Sequence, residues 1–162
     1  MSFECVPVAV AGAEALVPIL HDAEEDDDRI RAALRDPACQ AYAARTGGDT
    51  VGAAVVRWAP PGSELLYLAV VPGARGTGLG RRIVAALQAE LATRGGTMLV
   101  GTANSSLHNI AFYQKCGFRM RSVKRDFFAY IQPPIVEDGI PMRDMIVFSY
   151  DSSTAGLVNA SA

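Results

Sequence analysis

The stretch richest in chemistry is Val70-Val71-Pro72-Gly73-Ala74-Arg75-Gly76-Thr77-Gly78-Leu79-Gly80-Arg81-Arg82. Glycines let a backbone turn tightly, so successive N–H groups can converge on one anion. A helix opening from such a turn adds the positive end of its dipole. Arg75, Arg81 and Arg82 add formal charge. These features together suit a pyrophosphate. Two other phosphate loops do not fit. A Walker loop needs Gly-Lys-Ser/Thr after four spacer residues, and none is present. A dinucleotide fingerprint fails in both registers: Arg81 stands where the third glycine belongs counting from Gly76, and Ile83 counting from Gly78. A strand-to-helix connector that binds nothing is the remaining alternative.

Other reactive side chains are scattered. His21 and His108 have no partner at catalytic spacing and read as surface or satisfied helix residues. Cys5, Cys39 and Cys116 form no CxxC pair and no cluster with histidine, so no metal site or disulfide framework is expected. The thiols read as packing residues. The acidic run Asp22 to Asp28 reads as a solvated helix start, since acids favour the first turn; a cation site is the alternative.

The elements that must position these groups follow from periodicity. Strands are expected at 3–10, 39–45, 50–59, 64–71, 97–103, 118–125 and 142–150. Helices are expected at 13–21, restarted at Pro18, and at 26–35, 78–93 and 105–116. Leu79, Ile83, Leu87 and Leu91 make one apolar stripe on the third helix. Thr46-Gly47-Gly48-Asp49 is a hairpin signal. Glu64 to Val71 is apolar on both faces, as a strand covered on both sides should be. Gly117 is placed to cap the last helix in the left-handed region, with Phe118 packing back. Residues 126–143 read as a long loop. A hairpin, then alternating strands and helices, then a closing strand pair give a mixed α/β sheet with helices on its faces.

Composition sets the outer limits. With 162 residues, 50% apolar, the chain can bury a core within one domain, expected over 1–150, with 151–162 as a loose tail. A net charge of −2 without a basic stripe argues against nucleic acid. The apolar runs are too short for a membrane span. No basic or apolar leader opens the sequence, and the unpaired cysteines suit a reducing compartment, so a cytoplasmic protein is expected.

Leu68-Ala69-Val70-Val71-Pro72 followed by Arg75-Gly76-Thr77-Gly78-Leu79-Gly80 resembles the acetyl-CoA motif of the GNAT N-acetyltransferase superfamily, whose core reads R/Q-x-x-G-x-G/A. Ala111-Phe112-Tyr113-Gln114-Lys115-Cys116-Gly117-Phe118 resembles the Tyr-x-Lys-x-Gly-Phe end of its second motif. The two stand in the family's order and span about residues 64–118. Arg125-Asp126-Phe127-Phe128 and Arg143-Asp144-Met145 look like a bacterial subgroup with no assigned substrate; the layout is also similar to ribosomal-protein N-terminal acetyltransferases.

The resemblance implies a mostly antiparallel central sheet, splayed at two central parallel strands. It implies acetyl-CoA as cosubstrate, without a metal, and direct attack by a small primary amine or an N-terminal amine. Cofactor contacts would fall on Leu68, Ala69, Val70, Arg75, Gly76, Thr77, Gly78, Leu79, Gly80 and Arg81. A backbone N–H near Val70 would hold the oxyanion. Tyr113 would protonate the departing thiolate. The glutamate that some relatives carry on the preceding strand would fall near Gly101 and is missing. Glu64 is then the first choice of base, with Asp126 or a water chain as alternatives. Asn104 either bonds the CoA arm or caps the following helix, and Ser106 occupies the family's usual Asn position. Asp126, Glu137 and Asp138 could hold a cationic acceptor. The assembly, including a homodimer, stays open. A regulatory module that binds acyl-CoA without turnover is the alternative function, and a dinucleotide-binding domain a third.

Overall fold

The computed structural model describes residues 2–154. The chain divides into two compact units, Met1–Gly96 and Thr97–Ala162.

The first unit is an antiparallel sheet of β1 (Phe3–Val8), β2 (Cys39–Thr46), β3 (Asp49–Arg57) and β4 (Gly62–Val70), paired in that order. β2 and β3 turn through Gly47 and Gly48, at φ 57° and 89°, as the Gly-Gly signal predicts. One face carries α1 (Val10–Ala13), α2 (Val17–Leu20) and α3 (Asp27–Arg35). Leu16, Val17, Leu20, Ile30 and Leu34 pack there on Ala41, Ala43, Ala53 and Val55. The other face takes α4 (Leu79–Arg94), with Leu79, Ile83, Leu87 and Leu91 buried as the stripe requires. The approach is close at Gly52, where an added Cβ would stand 2.9 Å from the Ile83 Cδ1.

Local chemistry explains the boundaries. Pro18 sits in the first turn of α2, where its missing N–H leaves no bond unmade. The expected 13–21 helix is three short pieces beginning at Val10, so the first strand ends at Val8 rather than reaching residue 10. Asp26 caps α3, its carboxylate accepting from the Asp28 and Arg29 N–H groups. In β4 the pairing slips between Val55 and Val56, leaving Leu66 as an extra residue. The strand is therefore not uniformly covered: Leu65 is buried, whereas Glu64 is exposed.

The second unit pairs β5 (Thr97–Ala103), β9 (Met145–Asp151) and β6 (Arg119–Lys124) antiparallel, with β9 central. α5 (Leu107–Lys115) carries Tyr113 into an aromatic group with Phe118 and Phe148. Gly117 ends this helix at φ 91°, as expected. The stretch 126–143 is not all loop. It contains a hairpin of β7 (Val136–Glu137) and β8 (Ile140–Pro141), turned by Asp138 and Gly139 at φ 51° and 78°. The closing strand accordingly starts at Met145 rather than 142.

No parallel pair lies inside either unit among the described residues. Of the expected tail, Asp151 ends β9 and Ser152–Thr154 form a 3-10 turn; 155–162 lie outside the described residues. No helix among the described residues is long and apolar enough to cross a membrane.

Candidate active site

The glycine turn sits in the first unit, between β4 and α4. Pro72–Ala74 form one 3-10 turn after the strand. Gly76 and Gly78 then adopt φ 73° and 83°, the left-handed region that L side chains rarely adopt. Gly78 is the N-cap residue of α4, and the Arg82 N–H to Gly78 carbonyl bond, 3.2 Å, is the first of the helix. The amides from Gly78 onward thus precede the helical ladder and point out of its N-terminus. An added Cβ at Gly73, Gly76 or Gly78 would meet nothing within 4 Å, so the turn is open. Thr77 closes it from within, its hydroxyl donating to the Ala74 carbonyl. Open amides, a helix N-terminus and adjacent arginines fit a pyrophosphate.

The three arginines differ. Arg82 lies over the Phe3 ring, 4.3 Å from its centroid. Arg81 is exposed in the first turn of α4. Arg75 donates from Nε to the Val70 carbonyl, 2.9 Å, and from Nη2 to the Asp22 carboxylate. Along β4, Val70 pairs with Gly52, Ala69 with Ala53 and Leu68 with Ala54. Ala69 is buried, while Leu68 and Val70 are half-buried. Glu64 lies in register with Arg57 at the far end of the strand, about 20 Å from Val70 at a strand's rise per residue.

Tyr113 belongs to the second unit. It is 8% exposed. Its ring stands edge-on to Phe112 and Phe118, at 5.1 and 5.7 Å, and 6.1 Å from Phe148. Its hydroxyl has no hydrogen-bond partner among the described residues, where no fully buried side-chain oxygen or nitrogen lacks one. The hydroxyl therefore reaches the accessible surface. Burial of the ring pushes the phenol pKa well above its ordinary value, with a smaller push from Cys116. Tyr113 is protonated at neutral pH, as a proton donor must be.

Asn104 does not cap α5. Ser106 holds the N-cap position, without a side-chain cap bond. The Asn104 Oδ1 accepts from the Arg143 and Asp144 N–H groups, both at 2.9 Å, and its Nδ2 donates to the Pro141 carbonyl, 3.1 Å. Asp144 in turn accepts the Asp126 N–H at 2.8 Å. Asn104 thus pins the C-terminal end of the 126–144 segment, and the Asp144 carboxylate ties the other end to it, a role that local sequence could not reveal because the Asn104 partners lie some forty residues away. The buried Ser105 hydroxyl donates to Glu137, 3.0 Å. Asp138 and Asp126 are positive-φ turn residues, at 51° and 58°. Of the three acids expected to face an acceptor, Glu137 is held by Ser105, whereas Asp126 and Asp138 are exposed.

At Gly101, where some relatives carry a glutamate, an added Cβ would press on the Met145 side chain at 2.5 Å. A thioether fills that space, so β5 carries no base there. His21 does have a partner, Asp27 at 2.8 Å, and this bond raises its pKa. Cys5, Cys39 and Cys116 form no disulfide among the described residues and are half-buried rather than fully buried. Burial lifts Cys5 to about 11, leaving an unreactive thiol. No group of three or more metal-ligating side chains gathers among the described residues.

Comparison with known proteins places this geometry. Residues 13–118 match the Acetyltransferase (GNAT) family. An uncharacterised N-acetyltransferase of Bacillus subtilis, YvbK, is 32% identical over 136 residues, covering 82% of this chain and 86% of its own. Among solved structures, an IAA acetyltransferase from Bacillus cereus is 28% identical with a TM-score of 0.79, covering 93% of this chain and 99% of the other. A GNAT family acetyltransferase from Elizabethkingia anophelis, solved with acetyl-CoA bound, is 25% identical with a TM-score of 0.83, covering 92% and 97%.

Proposed function

Because the chain belongs to the GNAT acetyltransferase family, with that family's mixed α/β, mostly antiparallel fold, we propose that it transfers acetyl from acetyl-CoA to an amine by direct attack. The glycine turn carries this reading: two left-handed glycines deliver open backbone amides to the N-terminus of α4. In this reading the amides from Gly76 to Arg81 hold the pyrophosphate, with Arg75 and the helix dipole adding charge. The pantetheine arm follows Leu68, Ala69 and Val70, and a backbone N–H near Val70 holds the oxyanion.

The amine nitrogen bonds to the thioester carbonyl carbon, and the C–S bond breaks. Tyr113 gives its proton to the departing thiolate. The amine loses a proton to water; Glu64, about 20 Å along β4 from Val70, could receive it only through a chain of waters. The acceptor is a small primary amine or an N-terminal amine. The relatives reported above are named as acetyltransferases, so a module that binds acyl-CoA without turnover has no support from them.

Calorimetry with acetyl-CoA, followed by thiol release over an amine panel, tests the reading. Micromolar binding of acetyl-CoA and turnover with at least one amine are expected. Binding of NAD in preference to acetyl-CoA would overturn it.

A further inference from the structure

Arg75 is held from two sides. Its Nε donates to the Val70 carbonyl at the end of β4, 2.9 Å, and its Nη2 to Asp22, between α2 and α3. These bonds use Nε and Nη2 of the guanidinium, and Nη1 has no partner among the described residues. Nη1 carries two N–H donors in the guanidinium plane, suited to a phosphate oxygen.

As a device for stability the Asp22–Arg75 pair does little. Both side chains are about half exposed, and ion pairs at such sites are screened and weak. It does restrict a long, flexible side chain. An arginine that must be ordered when its ligand binds loses rotamer freedom at that moment, whereas one already held does not. Of the other acids in the run, Glu24 and Asp26 meet Arg29, Asp27 meets His21, and Asp28 meets Arg31.

We infer that Asp22 is a positioning residue: it holds Nη2 of Arg75, beside the Nε bond to Val70, so that Nη1 is presented, preordered, to the acetyl-CoA pyrophosphate. The inference rests on the proposed function above. It also assigns the α2–α3 loop a part in cofactor affinity.

Two forces act on binding when Asp22 is removed. Loss of the anchor weakens it, and loss of a nearby negative charge strengthens it. The variants separate them. Asp22→Asn keeps an oxygen that can accept from Nη2 and drops the charge; Asp22→Ala drops both. By calorimetry, Asp22→Ala is expected to raise the acetyl-CoA Kd three- to tenfold, and Asp22→Asn by less than twofold. In an Arg75→Ala background the weakening by Asp22→Ala is expected to vanish, leaving equal or slightly tighter binding. Acetyl-pantetheine, which lacks the pyrophosphate, should bind wild type and Asp22→Ala alike. The melting temperature should hardly move, as an exposed pair predicts.

Unchanged or tighter acetyl-CoA binding by Asp22→Ala would overturn the inference. So would an equal loss in Asp22→Asn, or a weakening that persists without Arg75 or with acetyl-pantetheine. Asp22→Asn preserves size and shape, and decides the matter if Asp22→Ala does not fold. Failure of the wild-type protein to bind acetyl-CoA at all would instead overturn the functional reading.

Discussion

Under the proposed function the two units contribute chemistry of different kinds. In the first, the groups that matter are backbone amides, and their placement depends on left-handed glycines at the mouth of α4. In the second, the group that matters is one hydroxyl, held by packing among Phe112, Phe118 and Phe148. A backbone site is sensitive to any side chain that changes φ or charge. A packed hydroxyl can be deleted with the packing left in place. Affinity for the cofactor should therefore break in the first unit, and rate in the second.

The largest effect is expected at Gly78. Its φ of 83° strains any other residue, although space beyond it is open. Left-handed strain costs about 1–2 kcal/mol, which sets the expected loss for Gly78→Ala at roughly tenfold in acetyl-CoA affinity. Gly78→Asp adds a carboxylate beside the pyrophosphate, and the total should reach about a hundredfold at low salt. Equal calorimetric losses for the two variants would show that strain alone acts, and that no anion sits there.

Tyr113→Phe comes next. Loss of general-acid help is worth about 10²–10⁴-fold, and a thiol is a good leaving group, so kcat should fall about ten- to hundredfold. Acetyl-CoA affinity and the melting temperature should barely change. In wild type, the alkaline limb of kcat should lie above the ordinary phenol range, because burial favours the protonated form. Full activity in the Phe variant, with chemistry rate-limiting, would give the proton to another group.

Asn104 divides the comparison more finely. Asn104→Ala removes three hydrogen bonds to the 141–144 backbone. With each worth about 1 kcal/mol net, a looser segment should raise KM for the acceptor roughly three- to tenfold. Acetyl-CoA affinity should stay the same. A fall in that affinity instead would assign Asn104 to the CoA arm.

The smallest effect concerns His21. Its bond to Asp27 raises its pKa above the unfolded value. The pair therefore stabilises fully below about pH 6.5, and the contribution is lost as pH rises through the folded pKa. The melting-temperature gap between wild type and His21→Ala should be present at acid pH and close toward pH 8. A gap independent of pH would mean that the ring contributes packing only.

The site's legibility in sequence followed the range of the interactions. Gly76, Gly78 and Gly117 act through their own backbone torsions, so their types and spacing announced them. The stripe from Leu79 to Leu91 was equally plain, since a helix repeats within a few residues. Asn104 was open between a helix cap and a cofactor contact, and the structure gives it a third task. Its partners, Pro141, Arg143 and Asp144, come near only when β5 pairs with β9. Arg75 was read as charge for an anion; its tie to Asp22 spans 53 residues and leaves no mark in either local pattern. Glu137 and Asp138 were read as a pair of charges, yet one meets Ser105 and the other turns a hairpin.

By itself the sequence determined most of the longer elements and the turn that can cradle an anion. These are consequences of torsions and of near-neighbour periodicity; the part expected of Tyr113 came from the family resemblance. Only the tertiary structure decided which polar groups are spent on holding the chain and which stay open to a ligand. A hydrogen-bond partner is chosen by proximity in space, and strand pairing sets that proximity across forty residues or more.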